Sequence, residues 1–385
     1  MLRIAVNATF LGESHNGQST YVRGLIQAFR KYGEVSSEKY VIYTSVEDEV
    51  PREPHFEWRK TPRWMNHEVT AFGNLARVLW TQIVLPRLLN QDRIDVLLCP
   101  LADSPIYAST TRIVVVHDLI PLFYPEESPR LAFYFRFIVP LFLRKADMIL
   151  ADSEHTKQDV VRSYGIDEEH ISVVHLGVED YHFSAESPCE APPNCPDKYF
   201  LFVGACVPRK NPIDVIRAYA HVHGCSEKLV LVTSHGPHLQ DVKQTVQDLH
   251  LNDKVIIFSG LSRQQMRFLY RHATAVVLLS EYEGFGYPAA EAMASGTPVI
   301  VSSATSLPEV VGDAGVIVRP GDLQAAAGAM KALAADEGLR NSLRQRGRTR
   351  AEAFRWKVIA GNIRSRLCAA VEQQGGNGLS LVSIN

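Results

Sequence analysis

The chain has 385 residues, 46% of them hydrophobic, which is enough to fill more than one buried core. A formal net charge of −2 excludes the overall basic field that capture of nucleic acid needs, although the first half is slightly acidic and the remainder slightly basic. Six cysteines without a Cys-x-x-Cys pair argue against a zinc site or a disulfide framework. The first residues read as a strand and not a signal peptide, and no apolar run reaches bilayer length, so the expected setting is cytoplasmic and reducing.

Short apolar runs alternate with longer helical patterns, which predicts an α/β fold with parallel sheets covered on both faces. In the first half the pattern predicts strands over 2–7, 39–44, 94–98, 113–117, 147–151 and 171–174. Helices are predicted over 18–32, 71–90, 130–146 and 154–164. After the first strand, Asn16-Gly17-Gln18-Ser19-Thr20-Tyr21 carries a glycine that permits close backbone approach. His117-Asp118 closes the strand at 113–117, and the C-terminal ends of parallel strands face the ligand crevice in such sheets. Residue chemistry alone leaves a turn cap and a ligand contact equally open for His117. Asp152-Ser153, ahead of a helix, reads as an N-cap.

Arg130 to Lys145 is aromatic and basic, fitting either a buried helix with charged ends or a membrane-surface contact. Trp58-Arg59-Lys60 with Arg63-Trp64 is a second patch open to the same two readings. Residues 184–197 hold four prolines and little apolar material. The predicted division is therefore a first domain over 1–183, a linker over 184–197 and a second domain over 198–355.

The pattern restarts with strands over 199–203, 228–233, 255–258, 274–279, 298–301 and 315–318. Phe202-Val203-Gly204 ends the first of these, and Arg209-Lys210 precedes a helix. Two cations at a strand-to-helix junction suit a pyrophosphate, with a solvated basic loop as the alternative. The densest signal is Glu283-Gly284-Phe285-Gly286-Tyr287-Pro288-Ala289-Ala290-Glu291, between the strand at 274–279 and a helix predicted from Tyr287 to Ser295. It sets two carboxylates around a glycine turn that leads into a helix start. Orphan amides and the dipole suit phosphate or sugar oxygens there, and Glu291 faces that side from the second turn. Helix capping alone accounts for Glu291 but not for the whole stretch. No Asp-x-Asp occurs, and Glu47 to Glu49 sits in a hydrophilic loop, so no metal site is expected. No Gly-x-Gly-x-x-Gly follows a predicted strand, which disfavours a nicotinamide cofactor.

The stretch, with Ser280 ahead of it, resembles the donor-site signature of retaining glycosyltransferases of family 4, the glycosyl transferases group 1. The resemblance also takes in Phe202-Val203-Gly204 with Pro208-Arg209-Lys210-Asn211, His117-Asp118, Ala151-Asp152-Ser153 and Leu307-Pro308-Glu309-Val310. It implies the GT-B fold, two Rossmann-like domains with parallel sheets facing across a cleft. The last helical pattern, 356–372 within the segment 356–385, then completes the first domain.

By resemblance Glu291 holds the ribose hydroxyls of the nucleotide, while Glu283, Phe285 and Gly286 hold the transferred sugar. Gly17, Gly204, Gly260, Leu261, Ser280, Gly284 and Tyr287 belong to the same donor side. Lys210 neutralises the departing diphosphate, with Arg209 as second cation because Ala205 and Cys206 stand where many members carry an arginine. His117 approaches the donor sugar, and Asp118 orients it or meets the acceptor. The loop at Asn16 departs from the family form at Asn16, Ser19 and Thr20, so no side-chain role is assigned to Thr20.

The implied activity is retaining transfer of a mannose- or glucose-type hexose from a GDP- or UDP-sugar, with neither metal nor cofactor. The implied acceptor is a saccharide or lipid-linked saccharide in cell-surface polysaccharide synthesis, reached in the cytoplasm or at the inner face of the membrane. Two rivals stand beside it: an enzyme that hydrolyses or phosphorolyses a glycosyl donor, and a catalytically silent nucleotide-sugar-binding subunit.

Overall fold

A computed structural model describes residues 1–12, 17–65, 73–234, 236 and 238–379, with side chains up to residue 373. Asn16, residues 71–72 of the predicted second helix, and 380–385 at the C-terminus lie outside the described residues. The chain divides into two units, one of Met1–Gly177 with the segment from Trp356, the other of Val178–Arg355.

The first unit contains strands β1 (Leu2–Asn7), β2 (Glu38–Thr44), β3 (Phe56–Lys60), β4 (Val96–Cys99), β5 (Thr111–Val116), β6 (Met148–Ala151) and β7 (Ile171–Val173). They form one sheet in the order β3-β2-β1-β4-β5-β6-β7, every pair parallel. Runs such as Ile4 to Val6 and Ile113 to Val116 are buried, as strands covered on both faces must be. The strand order reverses between β1 and β4, the position at which open α/β sheets leave a crevice.

The second unit repeats the scheme with β8 (Tyr199–Val203), β9 (Lys228–Val232), β10 (Val255–Phe258), β11 (Ala275–Leu278), β12 (Val299–Ser302) and β13 (Val316–Val318). The order β10-β9-β8-β11-β12-β13 is again parallel throughout and reverses between β8 and β11.

Four expectations need correction. The helix predicted over 71–90 is two helices, Gly73–Ile83 and Leu85–Gln91, and that over 130–146 is also two, Pro129–Phe137 and Val139–Leu143. Pro86 and Pro140 explain both breaks, because proline lacks the donor and its ring clashes with the carbonyl four residues earlier. The patch at Trp58 is β3, an edge strand whose charges serve each other. Arg59 pairs with Asp92 at 2.7 Å and Glu57 at 2.9 Å, and the Trp58 indole donates to the Thr44 carbonyl.

The proline-rich segment 184–197 does not mark the division between the units, which falls at Gly177 and Val178. Although poor in apolar residues, it is held to the second unit through its backbone. Arg267 donates to the Ser184 carbonyl, Arg271 to that of Ala185 at 2.7 Å, and the Glu190 amide to Gln264.

The C-terminal helix Trp356–Leu379 packs on the first unit against the helix Gly17–Tyr32. Trp356 is buried, and its indole occupies the space a Cβ would need at both Gly24 and Gly177. Arg364, farther along the helix, stands 2.7 Å from the buried carboxylate of Glu38. Gly177→Ala should therefore cost about 1–3 kcal/mol in urea unfolding, through overpacking against the indole. An unchanged midpoint would show that the ring moves aside freely.

Candidate functional site

In the second unit the loops after β8 and β11 meet at the reversal of strand order. Gly204 follows β8, and a Cβ there would stand 3.0 Å from Cδ of Lys210, so the glycine leaves the path of the lysine stem clear. Lys210 ends a short 3-10 turn, Pro208–Lys210, and its Nζ donates to Glu283 Oε1 at 2.8 Å. Ser280 Oγ donates to the same oxygen at 2.9 Å. Glu283 is buried, which alone would raise its pKa, but Lys210, Ser280 and the charge of Arg209 hold it below the usual carboxylate range. Arg209 is tied to the same loop, with its carbonyl accepting from the Glu281 amide at 2.7 Å.

Further contacts fix the turn, and the sequence pattern did not point to them. The Glu283 amide donates to Thr305 Oγ1 at 2.9 Å, and Ser306 Oγ donates to the Glu283 carbonyl at 2.8 Å. Ser302 Oγ donates to the Ser280 carbonyl, and Asn211 Nδ2 to that of Leu279 at 3.1 Å. Hydroxyls on the neighbouring β12 loop could have been sought from the start, had the pairing of β11 with β12 been known.

Gly286 adopts φ 97°, a left-handed value that favours glycine, immediately before the helix Tyr287–Ala294. A Cβ on it would stand 2.6 Å from Leu307. Phe285 is buried edge-on to Phe354 at 5.3 Å, and Gly284 is buried beside it. Tyr287 is half-buried at the helix start.

On the second helical turn Glu291 accepts from the Tyr270 hydroxyl at 2.7 Å through Oε2, and its Oε1 stands 3.7 Å from His182 Nε2. Burial, reinforced by the charge of Glu179 and only partly offset by Tyr270, pushes the Glu291 carboxyl up to about 7. The two carboxylates thus have opposite electrostatic settings. Gly260, with φ +66°, and Leu261 lie past the end of β10, before the helix Arg263–His272 that carries Tyr270.

The residues proposed in the first unit have a different arrangement from the one expected. His117 follows β5 and Asp152 follows β6, and the parallel register that pairs Val116 with Ala151 makes them neighbours. His117 Nδ1 lies 2.7 Å from Asp152 Oδ2, and Nε2 lies 2.9 Å from the Pro100 carbonyl oxygen. An ionised Asp152 makes both partners acceptors and the ring an imidazolium; burial pushes the Asp152 carboxyl up, opposed by His117 and His175, so the proton between the two is shared by a coupled pair. Burial pulls the His117 pKa down, but the Asp152 charge and hydrogen bond, with Asp118 and the Pro100 carbonyl, outweigh that and hold it above the usual value. Asp152, read from the sequence as an N-cap, is the group that orients His117. The cap itself is Ser153, whose Oγ accepts from the Thr156 amide. Asp118 instead accepts from the Ile120 amide at 2.9 Å. Gly17 opens the first helix, exposed, with nothing near the position of a Cβ.

A group with a raised folded pKa contributes stability fully below its unfolded value, near 6.5 for histidine, and loses it as pH rises through the folded value. The advantage of wild type over His117→Gln in urea unfolding should therefore shrink from pH 6 to pH 9. A constant difference would contradict a raised His117 pKa.

Residues 187–350 match the family of glycosyl transferases group 1, and residues 15–181 match Glycosyltransferase Family 4. The chain is 30% identical over 336 residues to the O-antigen chain mannosyltransferase RfbU of Salmonella typhimurium strain LT2, covering 82% of this chain and 87% of the relative. It is 28% identical to O-antigen chain mannosyltransferase B of Escherichia coli, over 64% of this chain and 67% of that one. The fold is similar to sucrose-phosphate synthase from Thermosynechococcus elongatus, with TM-score 0.73 and 22% identity over 96% of this chain and 100% of that chain. It is also similar to HepE of Anabaena in complex with UDP-glucose, with TM-score 0.72 and 16% identity over 96% and 100% of the two chains.

Proposed function

The chain belongs to the glycosyltransferases of family 4, the glycosyl transferases group 1, and on that premise we propose that it transfers a hexose from a nucleotide-diphosphate sugar with retention of configuration. The carrying observation is the joining of Lys210 and Glu283 at the β8–β11 reversal, with Glu291 on the helix that follows. A mannose- or glucose-type sugar is the proposed cargo, on GDP or UDP. A growing cell-surface saccharide, lipid-linked or not, is the proposed acceptor. The names of RfbU and of the second O-antigen mannosyltransferase support the mannosyl and polysaccharide parts of this reading, and the UDP-glucose held by HepE supports a nucleotide-sugar donor.

In the proposed reaction the bond from the anomeric carbon to the phosphate oxygen breaks and the acceptor oxygen attacks on the same face. The acceptor proton passes to a leaving phosphate oxygen. Lys210, which pairs with Glu283, exchanges that partner for the diphosphate, and Arg209 adds a second positive charge. Glu283 then accepts hydrogen bonds from sugar hydroxyls, a positioning role that its two present donors already mimic. Catalysis resides in stabilising the leaving group and in orientation, with no bound metal required.

Lys210→Ala should lower turnover by about 10²–10³-fold, the scale for loss of one preorganised donor. It also leaves Glu283 buried without its cation, at a cost in stability of roughly 3–5 kcal/mol. The double change Lys210→Met with Glu283→Gln should recover stability but not turnover. Transfer assays and urea unfolding on the same samples separate the two effects, and full activity in Lys210→Ala would remove the loop from the reaction. Wild type that releases sugar only to water or to free phosphate, or shows no turnover at all, would replace this reading with one of the two rivals.

Contact with an anionic membrane surface is the proposed route to a lipid-linked acceptor. The helix Pro129–Phe137 exposes Phe133 and Phe137, their rings 4.9 Å apart, with Arg136 over Phe137. Leu75, Leu79 and Ile83 form an exposed stripe on the helix Gly73–Ile83. Phe135, on the same helix, packs against the core cluster. No helix among the described residues is long and apolar enough to cross a membrane, so insertion would be interfacial. Wild type should co-sediment with phosphatidylglycerol vesicles at low salt and lose most binding in Phe133→Ser/Phe137→Ser. No binding at low salt would leave a soluble acceptor.

A further inference from the structure

His182 is a buried polar group that neither the motif nor the proposed reaction uses. It lies in the short helix Asp180–Phe183, just after the chain enters the second unit, and is 3% exposed. Its Nδ1 is 2.9 Å from Ser295 Oγ, at the far end of the helix that carries Glu291. Its Nε2 is buried with no hydrogen-bond partner and stands 3.7 Å from Glu291 Oε1, beyond hydrogen-bond reach. The other carboxylate oxygen is held by Tyr270, whose ring meets His182 edge-on at 5.5 Å. One carboxylate is thus flanked by a phenol and an imidazole that come from two other helices.

The tautomer follows from the geometry. Were Nδ1 to donate to Ser295, the lone pair of Nε2 would face the lone pairs of Glu291. With the Ser295 hydroxyl donating to Nδ1, the Nε2 hydrogen points toward Oε1 and the arrangement is attractive.

We propose that Tyr270 and His182 are positioning residues for Glu291, holding its two oxygens so that the carboxylate meets the adjacent hydroxyls of a ribose. The proposal rests on the nucleotide-sugar reading above. In this proposal each residue acts through Glu291 and not by contact with the nucleotide.

The charged surroundings give the arrangement a pH signature. Glu179 and Tyr181 face the site from the first segment, and Arg263 and Arg267 from the helix Arg263–His272. Burial first and then Arg267 pull the His182 ring down to about 3, so it stays neutral at ordinary pH, while Glu291 titrates near neutrality. A protonated Glu291 is a poorer acceptor and presents a donor of its own to the ribose hydroxyls. Nucleotide binding then favours the ionised form, and affinity falls as pH drops through 7.

The test is calorimetric titration of UDP and GDP, and of their 2′-deoxy forms, between pH 6 and pH 8. For whichever base binds, wild type should weaken about tenfold from pH 8 to pH 6 and prefer the ribose form. Tyr270→Phe removes a donor that favours the ionised carboxylate, so the midpoint of that pH dependence should move upward and the ribose preference should fall. His182→Asn keeps a partner for Ser295 but loses the group aimed at Glu291, and should also lose ribose preference. His182→Gln, whose amide nitrogen reaches the Nε2 position, should restore it. Equal losses for ribose and deoxyribose forms, with an unmoved midpoint, would overturn the proposal and reduce both residues to packing. Wild type that binds neither nucleotide would sink the reading beneath it, a failure distinct from normal binding with unaltered preference in the variants.

Discussion

The ion pair between Lys210 and Glu283 is the interaction on which the second unit's site depends, because it ties the loop after β8 to the loop after β11 where the strand order reverses. A parallel sheet built outward in both directions from one central pair leaves those two loops unbridged by any helix. A buried ion pair is a weak device for stability, since desolvation consumes most of the attraction. In the proposed reaction each charge satisfies the other until the donor supplies phosphate oxygens for Lys210 and sugar hydroxyls for Glu283. Ser280, Thr305 and Ser306 fix the carboxylate and its backbone, so the exchange of partners can proceed with little movement of the turn.

The second carboxylate of the motif differs in every respect that matters to its chemistry. Glu283 has a cation and a hydroxyl on one oxygen and stays ionised, whereas Glu291, buried beside a phenol and a neutral imidazole with the charge of Glu179 near it, titrates near 7. Two glutamates eight positions apart are thereby given opposite electrostatic settings by their surroundings. The glycine between them allows this. At φ 97°, Gly286 turns the chain sharply enough for Glu283 to remain on the loop while Glu291 projects from the helix.

Much of this was legible in the sequence. The alternation of apolar runs with helical patterns located twelve of the strands closely, and the motif from Glu283 to Glu291 located its turn and helix. What escaped had specific physical causes. β3 is short, charged and at a sheet edge, so it lacks the apolar run that marks a strand. Asp152 was unreadable as the partner of His117 because their adjacency depends on β5 pairing with β6 in register. His182 and Tyr270 lie in separate segments and meet Glu291 only through packing. The prolines of 184–197 suggested a linker, yet arginines on the helix Arg263–His272 hold the Ser184 and Ala185 carbonyls, an interaction with no periodic signature.

The central claim is that the turn from Glu283 to Glu291 is built to hold a nucleotide-diphosphate sugar. Chemical unfolding of the wild-type protein in the presence of a panel of GDP- and UDP-hexoses tests it most directly. The account predicts that at least one of them, at about 100 times its dissociation constant, stabilises the protein by roughly 2.7 kcal/mol, and that Glu291→Ala forfeits that gain at the same concentration. Stabilisation by none of the panel, or undiminished stabilisation in Glu291→Ala, would contradict it.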